Sequence, residues 1–191
     1  MIGTIAIILT SVFAFLLLCF VGWLWGSYNL FVTGKQNIKT MWSNIKTEYQ
    51  RRADMFYNLA ETVKGYAKFE KDTMTQVIAM RNGNFGTGKA AELKNMKNLD
   101  NFFARLLAVF EAYPKLRAVE EYDRLMVNIR VTEDRVNVAR VEYNDVVRDY
   151  NLSVNTFPNN LIANKFGFKE EAFFENEAGT EKAPKLDLSF K

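Results

Sequence analysis

The sequence predicts an all-α protein, in which one N-terminal transmembrane helix is followed by an antiparallel bundle of three to four long helices, with a C-terminal tail packed on it. Two observations lead to this fold class. The first charged side chain is Lys35, and residues 2–25 are almost entirely apolar. Three later stretches repeat apolar residues at alternating steps of three and four, as amphipathic helices do, and no period-two strand pattern competes with them.

The N-terminal segment is long enough to cross a bilayer. About 24 residues of helix extend roughly 36 Å, whereas the hydrocarbon core of a membrane is about 30 Å thick. A cleaved signal peptide is the main alternative, but such peptides carry a positive region before a shorter apolar run. We therefore expect residues 1–34 to form a retained anchor with its juxtamembrane segment.

Residues near the end of the anchor indicate how it lies in the membrane. Trp23, Trp25 and Tyr28 cluster there, where amphipathic rings favour the headgroup layer. Lys and Arg follow the span and none precedes it, so the positive-inside rule places the rest of the chain in the cytoplasm, at a cell membrane crossed once. Gly22 and Gly26, four residues apart, would let two such helices approach closely, although glycine is common in membrane helices.

Residues 35–157 carry one apolar stripe per predicted helix, with a spacing near 3.5 residues that is typical of helices packed at shallow angles. The first stripe contains Ile38, Trp42, Ile45, Tyr49, Arg52, Phe56, Leu59, Val63, Tyr66, Glu70, Thr73 and Val77. The second contains Met96, Leu99, Phe103, Leu106, Phe110 and Tyr113. The third contains Tyr122, Leu125, Ile129, Thr132, Val136, Ala139, Tyr143, Val146, Tyr150 and Phe157. The charged Arg52 and Glu70 are expected to meet groups on other helices or to mark where the stripe reaches water.

Glycine and proline predict the ends of these helices. The breaks fall at residues 82–88, at Tyr113-Pro114 and at Phe157-Pro158, and Gly34 is a candidate weak point between the anchor and the bundle. The predicted helices 35–81 and 115–156 are much longer than the helix 89–113 between them. Either a long helix bends, or the apolar tail, residues 158–191, or a neighbouring subunit covers the surplus.

Aromatic residues are the candidates for packing. Trp42, Tyr49 and Phe56 are predicted to pack near the membrane and to support self-association. Phe173 and Phe174 are predicted to dock the tail on the bundle or on a neighbouring subunit.

The composition removes several kinds of chemistry. Histidine is absent and the only cysteine, Cys19, lies within the anchor, which excludes intrachain disulfides, thiolate or histidine metal sites and Ser-His or Cys-His pairs. Residues 83–89 approximate a phosphate-binding loop, but Ala90 replaces the required hydroxyl residue and a helix precedes it. Asp145 and Asp149 are expected on a solvated face. We predict no catalytic residue, cofactor or metal.

Charge is spread evenly along the chain, with a net value of +3. No basic stripe with interleaved aromatic residues stands out, so the sequence predicts no nucleic-acid partner. The expected partners are the lipid bilayer, further copies of the chain and a membrane protein.

Several motifs resemble the LemA family. They are Arg51-Arg52, Asn58-Leu59-x-Glu61-Thr62-Val63-Lys64-Gly65-Tyr66-Ala67, Tyr113-Pro114, Glu133-x-Arg135, Ala139-Arg140, Tyr143-Asn144, Tyr150-Asn151, Phe157-Pro158-x-Asn160-Leu161-Ile162-Ala163 and Phe173-Phe174. The likeness extends from about Tyr28 to nearly the end, although Tyr57 and Phe69 depart from the family's usual residues. The resemblance implies a bacterial membrane protein with one span, a helical bundle and no settled enzyme activity.

The resemblance also bears on function. The family includes a magnetosome protein, which implies a part in organising membranes, and its members tend to be encoded near membrane proteases. We expect a membrane-anchored, non-catalytic helical scaffold that self-associates. The alternative is an accessory subunit or adaptor of a membrane enzyme such as a protease. A carboxylate enzyme would require acidic side chains that converge in one pocket with raised pKa values.

Overall fold

The computed structural model describes residues 2–63, 71–112 and 121–174, and all regular structure in these ranges is α-helical. The helices are α1 Ile2–Val63, α2 Lys71–Arg81, α3 Lys89–Ala112, α4 Glu121–Asn155 and α5 Asn159–Phe166. The all-α prediction and the long apolar N-terminal helix are thereby confirmed. Predictions for Glu70, for the break at Tyr113-Pro114 and for the tail beyond residue 174 lie outside the described residues.

The first part of α1 exposes apolar side chains around its whole circumference. The exposed residues include Ile5, Ile7, Ile8, Leu9, Val12, Phe13, Phe15, Leu16, Leu17, Leu18, Phe20 and Val21. A helix that is apolar on all sides needs a protein core or a membrane around it, and none of the described residues covers this stretch. Of the helices the structure describes, α1 is the one long and apolar enough to cross a membrane.

The chain forms two compact units, of which the first contains residues 1–36 and 143–191 and the second contains residues 37–142. In the second unit the predicted stripes are buried, as expected, wherever the structure describes their side chains. The stripe residues buried there are Ile38, Trp42, Ile45, Tyr49, Arg52, Phe56, Leu59, Val77, Met96, Leu99, Phe103, Ile129, Thr132, Val136 and Ala139.

Two positions of the third stripe were predicted wrongly, and both lie in the first unit. Val147 is buried instead of Val146, because the buried residues continue from Tyr143 to Val147, Tyr150 and Val154, close to the 3.6-residue period of an α-helix rather than to 3.5. Phe157 is 74% exposed, because α4 ends at Asn155, two residues before it.

The break at residues 82–88 is confirmed as a turn. Gly83, Gly86 and Gly88 have positive φ angles, a conformation that side chains with a Cβ rarely adopt. The Asn95 amide donates a hydrogen bond of 2.7 Å to the Phe85 carbonyl oxygen, which ties the turn to α3.

The predicted weak point at Gly34 is wrong, because α1 continues through it without a break. A Cβ atom at this position would lie 2.7 Å from Cδ2 of the Tyr150 ring. The Tyr150 side chain is only 3% exposed, so its ring has little room to move away. The glycine therefore permits close approach of α4 to α1 in the first unit.

Replacing Gly34 with alanine is expected to destabilise the protein. The overpacking costs about 1–3 kcal/mol, which exceeds the gain of about 1 kcal/mol from better helix propensity. The thermal unfolding midpoint of the full-length protein in mild detergent measures the effect. Gly26→Ala is the matched control, because nothing lies within 4 Å of its added Cβ. Equal midpoints for Gly34→Ala and the unmodified chain would contradict the close approach.

Candidate functional site

A network of charged and polar side chains joins three helices in the second unit. We call Tyr49, Arg52, Asp100, Glu133 and Arg140 the charge network. Arg52 donates from Nη1 to Asp100 Oδ1 at 2.7 Å and from Nη2 to Glu133 Oε1 at 3.2 Å. Arg140 donates from Nη2 to Asp100 Oδ2 at 2.9 Å and also to the Tyr49 hydroxyl. The Tyr49 hydroxyl donates to Asp100 Oδ2 at 3.0 Å.

Local helix geometry brings these groups together. Tyr49 and Arg52 lie three residues apart on α1, so they share one face of the helix. The guanidinium of Arg52 also stacks over the Phe103 ring, one turn beyond Asp100 on α3, with 4.5 Å between Cζ and the ring centroid. The expectation that Arg52 meets groups on other helices is therefore confirmed.

Burial and neighbouring charges shift the pKa values of Tyr49 and Arg140. Burial raises the pKa of Tyr49 well above its ordinary value, and the Asp100 carboxylate raises it further. Burial lowers the pKa of Arg140, but Tyr49 and Asp100 raise it by more, so the net shift is upward. At neutral pH the phenol is thus neutral and the guanidinium is charged.

The groups of the charge network are those of an ion-pair network that stabilises helix packing. Its two guanidinium groups face two carboxylates, and Asp100 accepts hydrogen bonds from three different side chains. A general acid or base needs a proton-transfer group directed at a substrate and a pKa near the working pH. The hydrogen bonds of Asp100 instead join α3 to α1 and to α4.

The aromatic packing candidates lie inside the chain. Tyr49 and Phe56 are fully buried, and Trp42 is 9% exposed, with its indole donating to Glu92 Oε2 at 2.6 Å. These three side chains pack the core of the second unit and leave no surface for another copy. Self-association through them does not fit this burial, so any such surface must lie elsewhere.

Two asparagines of α4 clamp the extended segment 168–174 in the first unit. Asn144 donates to the Phe174 carbonyl oxygen at 3.2 Å and accepts from the Phe174 N–H at 2.7 Å. Asn151 pairs in the same way with the carbonyl oxygen and N–H of Glu171, at 2.9 Å each. Tyr143 donates from its hydroxyl to the carbonyl oxygen of Ala172, which lies between Glu171 and Phe174 in the segment, at 3.0 Å. We call this arrangement the asparagine clamp.

The clamp uses the chemistry of the amide side chain. One asparagine carries both a donor and an acceptor, so it can satisfy the N–H and C=O of a single extended residue. The Phe174 side chain is buried, whereas Phe173 is exposed. Of the two predicted docking residues, Phe174 thus packs against the first unit.

The predicted residues of the anchor lie on an open surface. Gly22 and Gly26 are exposed, with nothing within 4 Å of an added Cβ. Trp25 is exposed and Trp23 is half-buried. The Tyr28 ring contacts Phe166, with 5.3 Å between the ring centroids.

A second apolar stripe on α4 is exposed and was not predicted. Val127, Val131, Val138 and Val141 are 45–60% exposed, and Asp134 occupies the intervening position at the same three-and-four spacing. We call these four residues the valine stripe. It borders a groove of about 550 Å³ between α1 and α4, lined by Asn44, Thr47, Glu48, Arg51, Val131, Asp134, Arg135, Val138, Ala139 and Glu142.

The acidic side chains of the described ranges do not form a metal-binding cluster. No group of three or more acidic or cysteine side chains there is placed to hold a metal ion. Asp145 and Asp149 are exposed, as expected, and both bind the exposed Arg148, at 2.7 and 3.2 Å.

Comparison with known proteins gives consistent matches. A family model described as the LemA family matches residues 41–188. Magnetosome protein MamQ 1 and magnetosome protein MamQ 2 of Paramagnetospirillum magneticum are each 27% identical over 178 residues, covering 78% of this chain and 65% of theirs. Protein LemA of Metamycoplasma hominis is 24% identical over 152 residues, covering 78% of this chain and 69% of its own length. The chain thus spans less than two thirds of the two MamQ proteins.

Proposed function

Because this chain belongs to the LemA family, we propose that it is a membrane-anchored, non-catalytic helical scaffold that self-associates at the membrane. The anchor is the apolar part of α1, in a cell membrane crossed once, and the rest of the chain lies in the cytoplasm. The helices form an antiparallel bundle, in which α4 runs opposite to α1 and α3 runs in the same direction as α1. Its support is the order of contacts. Tyr49 and then Arg52 on α1 meet Arg140 and then Glu133 on α4, whereas Trp42 and then Tyr49 meet Glu92 and then Asp100 on α3.

The valine stripe is the observation that carries self-association. One stripe of α4 is already buried, so the helix has no intrachain need for a second one. Exposed apolar residues that follow each other at a spacing near 3.5 are suited to a partner helix. Asp134 divides the stripe into two exposed pairs, Val127 with Val131 and Val138 with Val141, and exposed apolar surface of this kind commonly marks an interaction site.

The occupant that best fits this surface is a second copy of the chain. The groove beside the stripe carries both signs of charge, with Glu48, Asp134 and Glu142 near Arg51 and Arg135. In an interface between identical surfaces, residues of one copy face different residues of the other, so cations can meet carboxylates. The anchor confines the copies to two dimensions, which raises their effective concentration.

The proposal that the scaffold is non-catalytic is supported by where its charges lie. Arg52, which is buried, belongs to the charge network that joins helices, and the α4 acids Asp134, Glu142, Asp145 and Asp149 are exposed. Two relatives are named magnetosome proteins. We therefore propose that the scaffold organises membrane-associated assemblies.

Replacing Val138 with glutamate is expected to break self-association. The change removes about 1.5 kcal/mol of apolar burial from each copy, and together the two losses weaken a dimer by about a hundredfold. The mass of the full-length protein in mild detergent, measured by light scattering, should fall from that of an oligomer to that of a monomer. Val138 is exposed in one copy, so folding should be preserved.

Ile78→Glu is the matched control, because it places the same charge at an exposed apolar residue of another helix, α2. Its mass should equal that of the unmodified protein. A monomeric unmodified protein would contradict the proposal. A stable complex with a different membrane protein, sensitive to Val138→Glu, would favour the accessory-subunit alternative.

A further inference from the structure

Helix α5 packs beside the uncharged end of the membrane helix. Ser27 Oγ donates a hydrogen bond of 2.9 Å to Asn159 Oδ1, at the start of α5. At its other end, Phe166 contacts the Tyr28 ring. These α1 positions lie between Trp25 and Lys35, a stretch of about 15 Å without a charged residue. The contacts thus place α5 at the level where the anchor leaves the hydrocarbon core.

The α5 region exposes large apolar side chains at this level. Phe157, Leu161 and Phe166 are 74%, 59% and 55% exposed, whereas Ile162 and Ala163 are buried and hold the helix to the first unit. In water, three such residues within ten positions would be an unfavourable surface. Of the three, Phe166 contacts Tyr28 at the end of the anchor.

An apolar groove joins α5 to the anchor. Its volume is about 450 Å³, and it is lined by Val21, Leu24, Trp25, Tyr28, Asn29 and Phe166. All of these lining residues are uncharged. The groove opens on the part of α1 that faces lipid, so a lipid acyl chain is the occupant that its chemistry and position favour.

The charged residues within α5 and beside its contacts with α1 are lysines, whereas Glu170 and Glu171 follow directly, and Glu170 accepts a hydrogen bond from Asn155. No acidic residue occurs in residues 1–47 or in residues 150–169. Within these ranges Lys35, Lys165 and Lys169 are exposed beside the aromatic contacts, and Lys35 lies 5.8 Å from the centroid of the Phe168 ring. A cationic border next to an apolar surface is complementary to anionic lipid headgroups.

We propose that α5 is an interfacial lipid-binding helix, which forms a second membrane contact beside the anchor. Phe157, Leu161 and Phe166 enter the boundary between headgroups and acyl chains, where short amphipathic helices lie about 5–10 Å deep. Lys165 and Lys169 contact the phosphates of anionic lipids. The inference rests on the membrane anchor in the proposed function, and it is independent of self-association.

Spin labels measure the depth of α5 directly. Cys19 is the only cysteine, so Cys19→Ser provides a background in which Leu161→Cys, Phe15→Cys or Ile78→Cys carries one nitroxide. The full-length protein is reconstituted in vesicles of phosphatidylcholine with phosphatidylglycerol, and collisions with oxygen and with a water-soluble nickel chelate are measured. At Leu161→Cys the nickel accessibility should be about fivefold lower than at Ile78→Cys, with higher oxygen accessibility.

A second variant tests the charges. Adding Lys165→Glu and Lys169→Glu should raise nickel accessibility at Leu161→Cys about twofold or more in the anionic vesicles. In vesicles of phosphatidylcholine alone the same pair should have little effect. A similar effect in both lipids would overturn the assignment of these lysines to anionic headgroups.

The depth measurement separates failure of this inference from failure of the anchor. If Phe15→Cys lies in lipid while Leu161→Cys is as accessible to nickel as Ile78→Cys, the interfacial helix is wrong and the anchor stands. If Phe15→Cys is itself in water, the anchor and the inference fail together. Low accessibility to both reagents at Leu161→Cys would show that protein covers α5, and would replace lipid with a second copy.

Discussion

Replacing Asp100 with alanine should lower the free energy of unfolding by about 3 kcal/mol, because it leaves two guanidinium groups close together without their shared carboxylate. Arg52, whose side chain is only 9% exposed, would lose its 2.7 Å partner. Arg140 and the Tyr49 hydroxyl would lose theirs in the same change. For a chain of this size, the thermal midpoint should fall by roughly 6–12 °C.

Circular dichroism of the full-length protein in mild detergent measures that shift. Asp145→Ala is the matched control, since it removes a carboxylate from the exposed pair with Arg148, and such pairs contribute about 0–1 kcal/mol. Asp100→Asn should fall between the two, because an amide keeps an acceptor but loses the charge. Equal thermal midpoints for Asp100→Ala and Asp145→Ala would refute the role of the charge network in stabilising the helix packing.

The double variant Asn144→Ala, Asn151→Ala should release the segment 168–174 from α4. It removes four hydrogen bonds to backbone groups of Glu171 and Phe174, each with a net contribution of about 1 kcal/mol. Opening of the segment should therefore become about 10²–10³-fold more frequent. Hydrogen exchange of the segment's amides and the rate of tryptic cleavage after Lys169 both measure opening.

Asn137→Ala is the control for this variant, because it makes the same change at an exposed position of α4. Asn155→Ala should have a smaller effect, since Asn155 donates to the exposed Glu170 carboxylate and not to the backbone of the segment. Unchanged exchange in the double variant would mean that side-chain packing, and not the asparagine clamp, holds the segment.

The periodicity of the sequence predicted most of the second unit's core correctly. Tyr49, Leu99 and Ile129, one from each stripe, are all fully or almost fully buried. The errors have local causes. Val146 was chosen by extending a 3.5-residue period where the helix follows 3.6, and Phe157 was counted in a helix that ends before it. Gly34 was taken as a break because glycine disfavours helices, but Tyr150 requires the space it leaves.

Most of the polar contacts between helices were not predicted from the sequence. Arg52 was noticed because a charge on an apolar stripe is unusual, but its partner Asp100 was not. Asn144 and Asn151 appeared only as parts of a resemblance, without a role. The one available signal is that Asp100, Arg140, Asn144 and Asn151 each follow a buried stripe residue directly, at the edge between core and solvent.

By itself, the sequence determined the helical class, the family resemblance, the apolar helix of membrane-spanning length, the turn at residues 82–88 and most of the buried stripes. These features depend on residues within a few turns of one another, so the pattern of side chains along the chain contains them. Only the tertiary structure decided that Asp100 lies between Arg52 and Arg140, that asparagines clamp the segment 168–174 and that α5 lies beside Tyr28. Such pairs are 20 or more residues apart in the sequence. Which of them meet depends on how whole helices pack, and the local pattern of one helix does not determine that packing.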